Sequence, residues 1–219
     1  MQLISVHIAR SVWLFPTEGL NPRGLETRSL LGAIKDRYAF QKVPDSPEDI
    51  SQPSGGLEFL GGSFLYDQQQ IQIVSLKIFN DGLIAETRYT TEASDAVLDD
   101  ALNYAVHSFG WTFNQNMVKR KAYYSELVVE GSLNINLISD KLQRISSLLP
   151  ARSATNRFTA ISLRFGVDPT VDGGTNVPQF VIEKRAGVSF TDDRYFCQAP
   201  MTTSEHLEIL AEVEKIISE

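Results

Sequence analysis

Between Gln70 and Val106 the chain passes from a strand-like to a helix-like spacing of apolar residues, with one turn signal on the way. Ile71-Gln72-Ile73-Val74-Ser75-Leu76-Lys77-Ile78-Phe79 is β-branched and apolar, Asn80-Asp81-Gly82 follows, and Leu83-Ile84-Ala85 resumes the apolar run. Asp81-Gly82 suits the two positive-φ positions of a type I′ hairpin loop. That loop pairs Asn80 with Leu83, Phe79 with Ile84, Ile78 with Ala85 and Lys77 with Glu86, which sets opposite charges across the strands. After the hairpin, Ser94 reads as an N-cap. Val97, Leu98, Ala101, Leu102, Ala105 and Val106 then recur at helical spacing, so a helix is expected over one sheet face.

The same reading extends in both directions. Residues 3 to 15 predict a first strand, and Leu25 to Phe40 a helix with Leu30, Leu31, Ile34 and Tyr38 on one face. Residues 41–56 have loop composition, and Leu57 to Tyr66 is a strand with a bulge at Gly61-Gly62. Lys121 to Glu130 is a strand, and a helix from Leu137 to Leu149 is stopped by Pro150. Phe158 to Val167 alternates, with Ile161, Leu163, Phe165 and Val167 expected inward. A glycine-rich loop from Asp168 to Pro178 precedes strands at Gln179 to Phe190 and Arg194 to Ala199. Thr203 or Ser204 then caps a final helix with Leu207, Leu210, Val213 and Ile217 inward.

The two halves, 1–110 and 111–219, share the order strand, helix, three strands, helix. A shift of 111 residues carries Leu31 to Leu142, Phe79 to Phe190, Asp81 to Asp192, Leu98 to Ile209 and Leu102 to Val213. The fold class expected is α+β, with eight strands and four helices, the helices on one face of an antiparallel sheet and the whole an internal duplication. In element order this resembles the saddle of the TATA-binding-protein-like fold. That resemblance implies one curved sheet with helices on its convex side. The family's sheet face binds DNA with basic residues and phenylalanine wedges, whereas here Lys77 and Arg88 alternate with Glu86.

Composition narrows the classes. With 219 residues and 42% apolar residues there is ample material for a core. The formal net charge of -7 argues against non-specific nucleic-acid binding, which needs clustered cations. The single cysteine, Cys197, rules out an internal disulfide or a multi-cysteine metal site and points to a reducing compartment, the cytoplasm. The N-terminus has no basic n-region, so a signal peptide is not expected, and apolar runs fall well short of a membrane span.

Candidate chemistry is sparse. His7, His107 and His206 show no metal-ligand spacing, and no nucleophile elbow, Walker A loop or dinucleotide fingerprint occurs. The segment from Asp168 to Asn176 lacks the closing glutamate of a calcium loop. No cofactor is therefore expected. The expected function is a non-enzymatic module that binds another protein, or a second copy of itself, through the open sheet face. The residues singled out are His7, Ile73, Lys77, Ile84, Arg88 and Arg164, with Ile71, Phe79, Ser75 and Glu86 on the same face. A second reading is a nucleic-acid or nucleotide binder using Lys77, Arg88, Arg164 and the Lys119-Arg120-Lys121 run. A third is an enzyme with a dispersed site such as His7, Glu86 and Cys197.

Overall fold

The structure is a computed structural model and describes residues 1–21, 27–44, 56–149, 158–168, 170 and 177–218. The strands are β1 (Gln2–Leu14), β2 (Leu57–Tyr66), β3 (Gln69–Phe79), β4 (Gly82–Thr87), β5 (Arg120–Glu130), β6 (Ser162–Phe165), β7 (Phe180–Lys184) and β8 (Arg194–Ala199). Four α-helices lie among the described residues: α1 (Thr27–Tyr38), α2 (Thr91–Phe109), α3 (Asp140–Leu148) and α4 (Thr203–Ser218). The class is α+β, as expected. The eight strands form one open antiparallel sheet in the order β2-β3-β4-β1-β5-β8-β7-β6. The chain divides into a larger unit, His7–Ser125 with Met201–Thr203, and a smaller one, Met1–Val6 with Glu126–Pro200 and Ser204–Glu219.

In the larger unit α2 buries Val97, Leu98, Ala101, Leu102 and Ala105 against Trp13, Ile73, Leu76, Leu83 and Ala85. Each fully buried Val or Leu side chain there is worth roughly 1.5–3 kcal/mol relative to exposure. Thr90, not Ser94, caps the helix, accepting from the Ala93 N–H. Ser94 lies one turn in, where its hydroxyl reaches the Ala9 carbonyl of β1 at 2.8 Å. The helix ends at Gly110, whose φ of 66° is left-handed. Helix α1 buries Leu30, Leu31, Ile34 and Tyr38, as its periodicity predicts. It is tied to α2 by Arg37, which forks onto Asp100 at 2.7 and 2.8 Å, and by the Tyr38 hydroxyl at 2.5 Å. Burial opposes ionisation of Asp100, yet these donors hold its carboxyl below the usual range.

The hairpin register differs from the sequence expectation. Phe79 pairs with Gly82, Ile78 with Leu83, Lys77 with Ile84 and Ser75 with Glu86, so the loop is Asn80-Asp81 and neither residue has positive φ. Gly82 belongs to the strand because a Cβ on it would sit 2.2 Å from the Trp13 carbonyl oxygen of β1. Two consecutive positive-φ residues, as a type I′ loop requires, occur instead at Asp67 (47°) and Gln68 (65°), between β2 and β3.

A second difference decides which side chains face where. Between Ile73 and Ser75 the β3–β4 register slips by one residue, so Val74 is the extra residue of a bulge. Across β2 the break falls at Gly61, with φ of 68°. Beyond it a Cβ on Gly62 would lie 2.5 Å from the Phe40 ring. The bulge reverses the alternation: Ile71 and Ile73 are 5% and 0% exposed, buried on the same side as Leu76. Ile71 and Ile73 are therefore core residues of the larger unit, not members of the open face.

In the smaller unit Leu127, Val129, Leu133, Ile135, Ile182, Tyr195, Cys197 and Leu210 form the core, with Leu207, Val213 and Ile217 packed against it. The Met1 ammonium pairs with Glu214, whose other oxygen accepts the Ser132 N–H at 2.6 Å. Strand β6 is shorter than its alternation predicts. Leu163 reaches the core, but Ile161, Phe165 and Val167 are 42%, 60% and 50% exposed. At the end of the sheet order β6 has β7 on one side only, and a terminal strand has less to cover. Residues 169 and 171–176 of the calcium-like segment lie outside the described residues.

Candidate interaction surface

Residues paired across an antiparallel ladder share a face, so the registers of the larger unit give its open face directly. One row runs Leu60, Ser75, Glu86, Arg10 and the next Glu58, Lys77, Ile84, Val12. Leu60, Ile84 and Val12 are half-buried: Val12 and Ile84 are neighbours in the second row, and Leu60 stands in the first, separated from Ile84 by Ser75 and Lys77 of β3. The polar groups beside these residues bond to one another. Arg10 donates to Glu86 through Nη2 at 2.5 Å and Nε at 2.6 Å, Ser75 donates to the other Glu86 oxygen at 3.1 Å, and Lys77 pairs with Glu58 at 2.7 Å. The Arg10 guanidinium also lies 5.4 Å from the centre of the Tyr124 ring. Glu86 thus answers Arg10 rather than Lys77, because the register is set by β1 as well as by the hairpin.

Of the residues expected to bind, Lys77 and Ile84 lie together on this face, and Ile73 is behind it in the core. Arg88 is exposed just past β4, its N–H donating to the Gln72 carbonyl. His7 is exposed on β1. Arg164 belongs to the smaller unit, in an ion pair with Glu183 at 2.9 Å. Sequence reasoning missed Leu60 and Val12. The signal that could have found them was the glycine pair after Leu60, which marks where the alternation of β2 is interrupted.

A second polar cluster lies on the helix side of the larger unit, around Asp95 of α2. Its carboxylate accepts from the Ser11 hydroxyl, Trp13 Nε1 at 2.7 Å, the Tyr123 hydroxyl at 3.0 Å and Lys121 Nζ at 3.1 Å. Lys121 Nζ also stands 3.9 Å above the Trp13 ring. The carboxylate thereby ties β1 and β5 to the helix. Lys121, expected as part of a phosphate-contacting run, is engaged by a carboxylate and an indole of its own chain. Asp95→Asn keeps acceptors for Ser11 and Trp13 but removes the charge facing Lys121. We expect it to cost about 1 kcal/mol in urea unfolding.

The residues of the enzymatic reading are not brought into a reactive set. Cys197 lies in the core of the smaller unit with Leu210 of α4. Burial pushes its thiol up to about 12, whereas a nucleophilic cysteine needs the opposite shift. The smaller unit also holds a cavity of about 390 Å³, lined in part by Ser132, Asn134, Thr159, Lys184 and Asp193. Its one cation is spoken for: Lys184 Nζ donates to the Phe190 carbonyl and to Asp193, both at 2.9 Å, above the Tyr195 ring. No group of three or more metal-ligating side chains occurs among the described residues. No helix among them is long and apolar enough to cross a membrane. The chain matches no known family model and no curated protein sequence.

Proposed function

We propose that the chain is a protein-binding module that docks its partner on the open sheet face of the larger unit. The observation that carries this reading is a face on which half-buried apolar residues, the neighbours Val12 and Ile84 and the separate Leu60, are set among two closed ion pairs. With Arg10, Glu86, Lys77 and Glu58 already matched to each other, the face has little net charge to offer a phosphate. Half-exposed apolar residues among satisfied polar groups are the make-up of a protein interface. Phosphate binding through Lys77, Arg88, Arg164 and residues 119–121 draws less support, since Lys77, Arg164 and Lys121 each have a carboxylate partner. A lone cysteine fits a reducing compartment such as the cytoplasm.

The same reading takes the chain as a duplicated unit resembling the TATA-binding-protein-like saddle. Support comes from matching burial, at a shift one residue larger than the sequence suggested. The buried Leu83, Ala85 and Thr87 of β4 match the buried Tyr195, Cys197 and Ala199 of β8, and Leu98 matches Leu210. Ile209, the partner at a shift of 111, is 40% exposed. Thr91 and Thr203, which open α2 and α4, each accept the other's backbone N–H, at 2.8 and 3.1 Å.

The test is a double change, Leu60→Asp with Ile84→Asp, at half-exposed positions where the fold is expected to persist by circular dichroism. Bait made from wild-type protein should retain a partner from native extract that the variant loses by roughly tenfold or more, since two charges then sit in an apolar contact. Equal retention by both baits, or none by wild type, refutes the open face as the docking site.

A further inference from the structure

Helix α3 has no buried residue, and Ile145 and Leu148 are 54% and 81% exposed, with Leu149 just after it at 44%. A nine-residue helix is marginal in water without tertiary packing. Its apolar stripe is flanked by exposed Lys141 and Arg144, a local basic surface on a chain of net charge -7. Helix α4 turns Leu207, Leu210, Val213 and Ile217 inward. Its outer face carries Ile209 and Ile216, 40% and 66% exposed and seven residues apart. Beside them stand exposed Glu208 and Glu212. The smaller unit therefore carries two exposed apolar stripes, one flanked by Lys141 and Arg144 and the other by Glu208 and Glu212, with Lys215 next to Ile216.

We propose that two copies of this chain associate through these helices, α3 of one copy lying against α4 of the other. In a two-fold dimer the contact occurs twice, since α3 meets the partner's α4 and the reverse. Each contact sets Lys141 and Arg144 near Glu208 and Glu212 while Ile145, Leu148, Ile209 and Ile216 leave water. The charge match selects a second copy over a random neighbour, because two acidic chains otherwise repel. The dimer should weaken as salt shortens the reach of these exposed charges.

Sedimentation velocity on the whole chain over a concentration series tests this. Wild type should dimerise. Lys141→Glu with Arg144→Glu, and separately Glu208→Lys with Glu212→Lys, should each weaken the dimer roughly a hundredfold by placing like charges together. All four side chains are exposed, so folding should be unchanged by circular dichroism. Mixing the two variants should restore dimers, because in the mixed pair both contacts are again acid against base. The Leu60→Asp, Ile84→Asp variant should dimerise like wild type, which separates this surface from the open face. A wild type that stays monomeric, variants that dimerise undiminished, or a mixture that does not recover would each overturn the proposal. So would a wild type that is monomeric but binds phosphatidylserine vesicles through Lys141 and Arg144, which would make α3 a lipid-binding helix instead.

Discussion

An Ile73→Asp variant should be unfolded at 25 °C, while Ile84→Asp, eleven residues away on the next strand, should remain folded with stability reduced by roughly 1 kcal/mol or less. Both positions are isoleucines in the same hairpin, and both look alike in sequence. The bulge at Val74 separates them. Ile73 is fully enclosed with Leu76, Leu98 and Leu102. A carboxylate there must either lose its hydration or take up a proton at a cost of several kcal/mol, and the side-chain volume is lost as well. Against a total stability of about 5–15 kcal/mol, that removes most or all of the margin. Ile84 lies half-exposed in a row with Lys77, where an aspartate keeps part of its water and gains a cation nearby. The check is urea unfolding of the two variants. Equal midpoints would mean that the bulge does not turn Ile73 inward.

The pair also shows what the sequence does and does not carry. Hydrophobic period found the strands and helices described above, most of them to within a few residues, because local burial on one face is all that period encodes. The strand expected over Gln179 to Phe190 stops at Lys184, and that over Phe158 to Val167 spans only Ser162–Phe165. Register is different, since it depends on contacts distant in sequence. Asp81-Gly82 satisfies the local rule for a hairpin loop, yet Gly82 is claimed by β1, whose Trp13 carbonyl leaves no room for a side chain. The loop consequently moves back by one residue, and Glu86 moves from Lys77 to Arg10. The extra residue at Val74 then reverses every expectation upstream of it, which is how Ile73 was placed on the open face. A one-residue slip costs nothing in hydrophobicity but exchanges the two faces. Asp95 was not legible at all, because its four donors come from strands 82 to 84 and 26 to 28 residues distant in the chain.

His206 gives the second large effect, and it appears only in acid. The ring is fully enclosed in the first turn of α4, edge-on to Phe180 at 5.8 Å. Burial pushes its pKa down from 6.5 to about 4. The neutral imidazole is therefore the folded form, and between these values the unfolded chain binds a proton that the folded chain does not. Stability is unaffected above pH 6.5 and falls as pH drops from there to about 4, for a total of about 3.5 kcal/mol at about 1.4 kcal/mol per pH unit. Asp100 does not confuse the window. Its carboxyl is held below 3.8, so the stability it supplies is lost only at still lower pH. Replacing the group by one that cannot charge, His206→Leu, should flatten the pH dependence of the urea midpoint between 6.5 and 4, whatever it does to stability at neutral pH. A variant whose midpoint still falls as steeply as wild type across that interval would show that the acid sensitivity originates elsewhere.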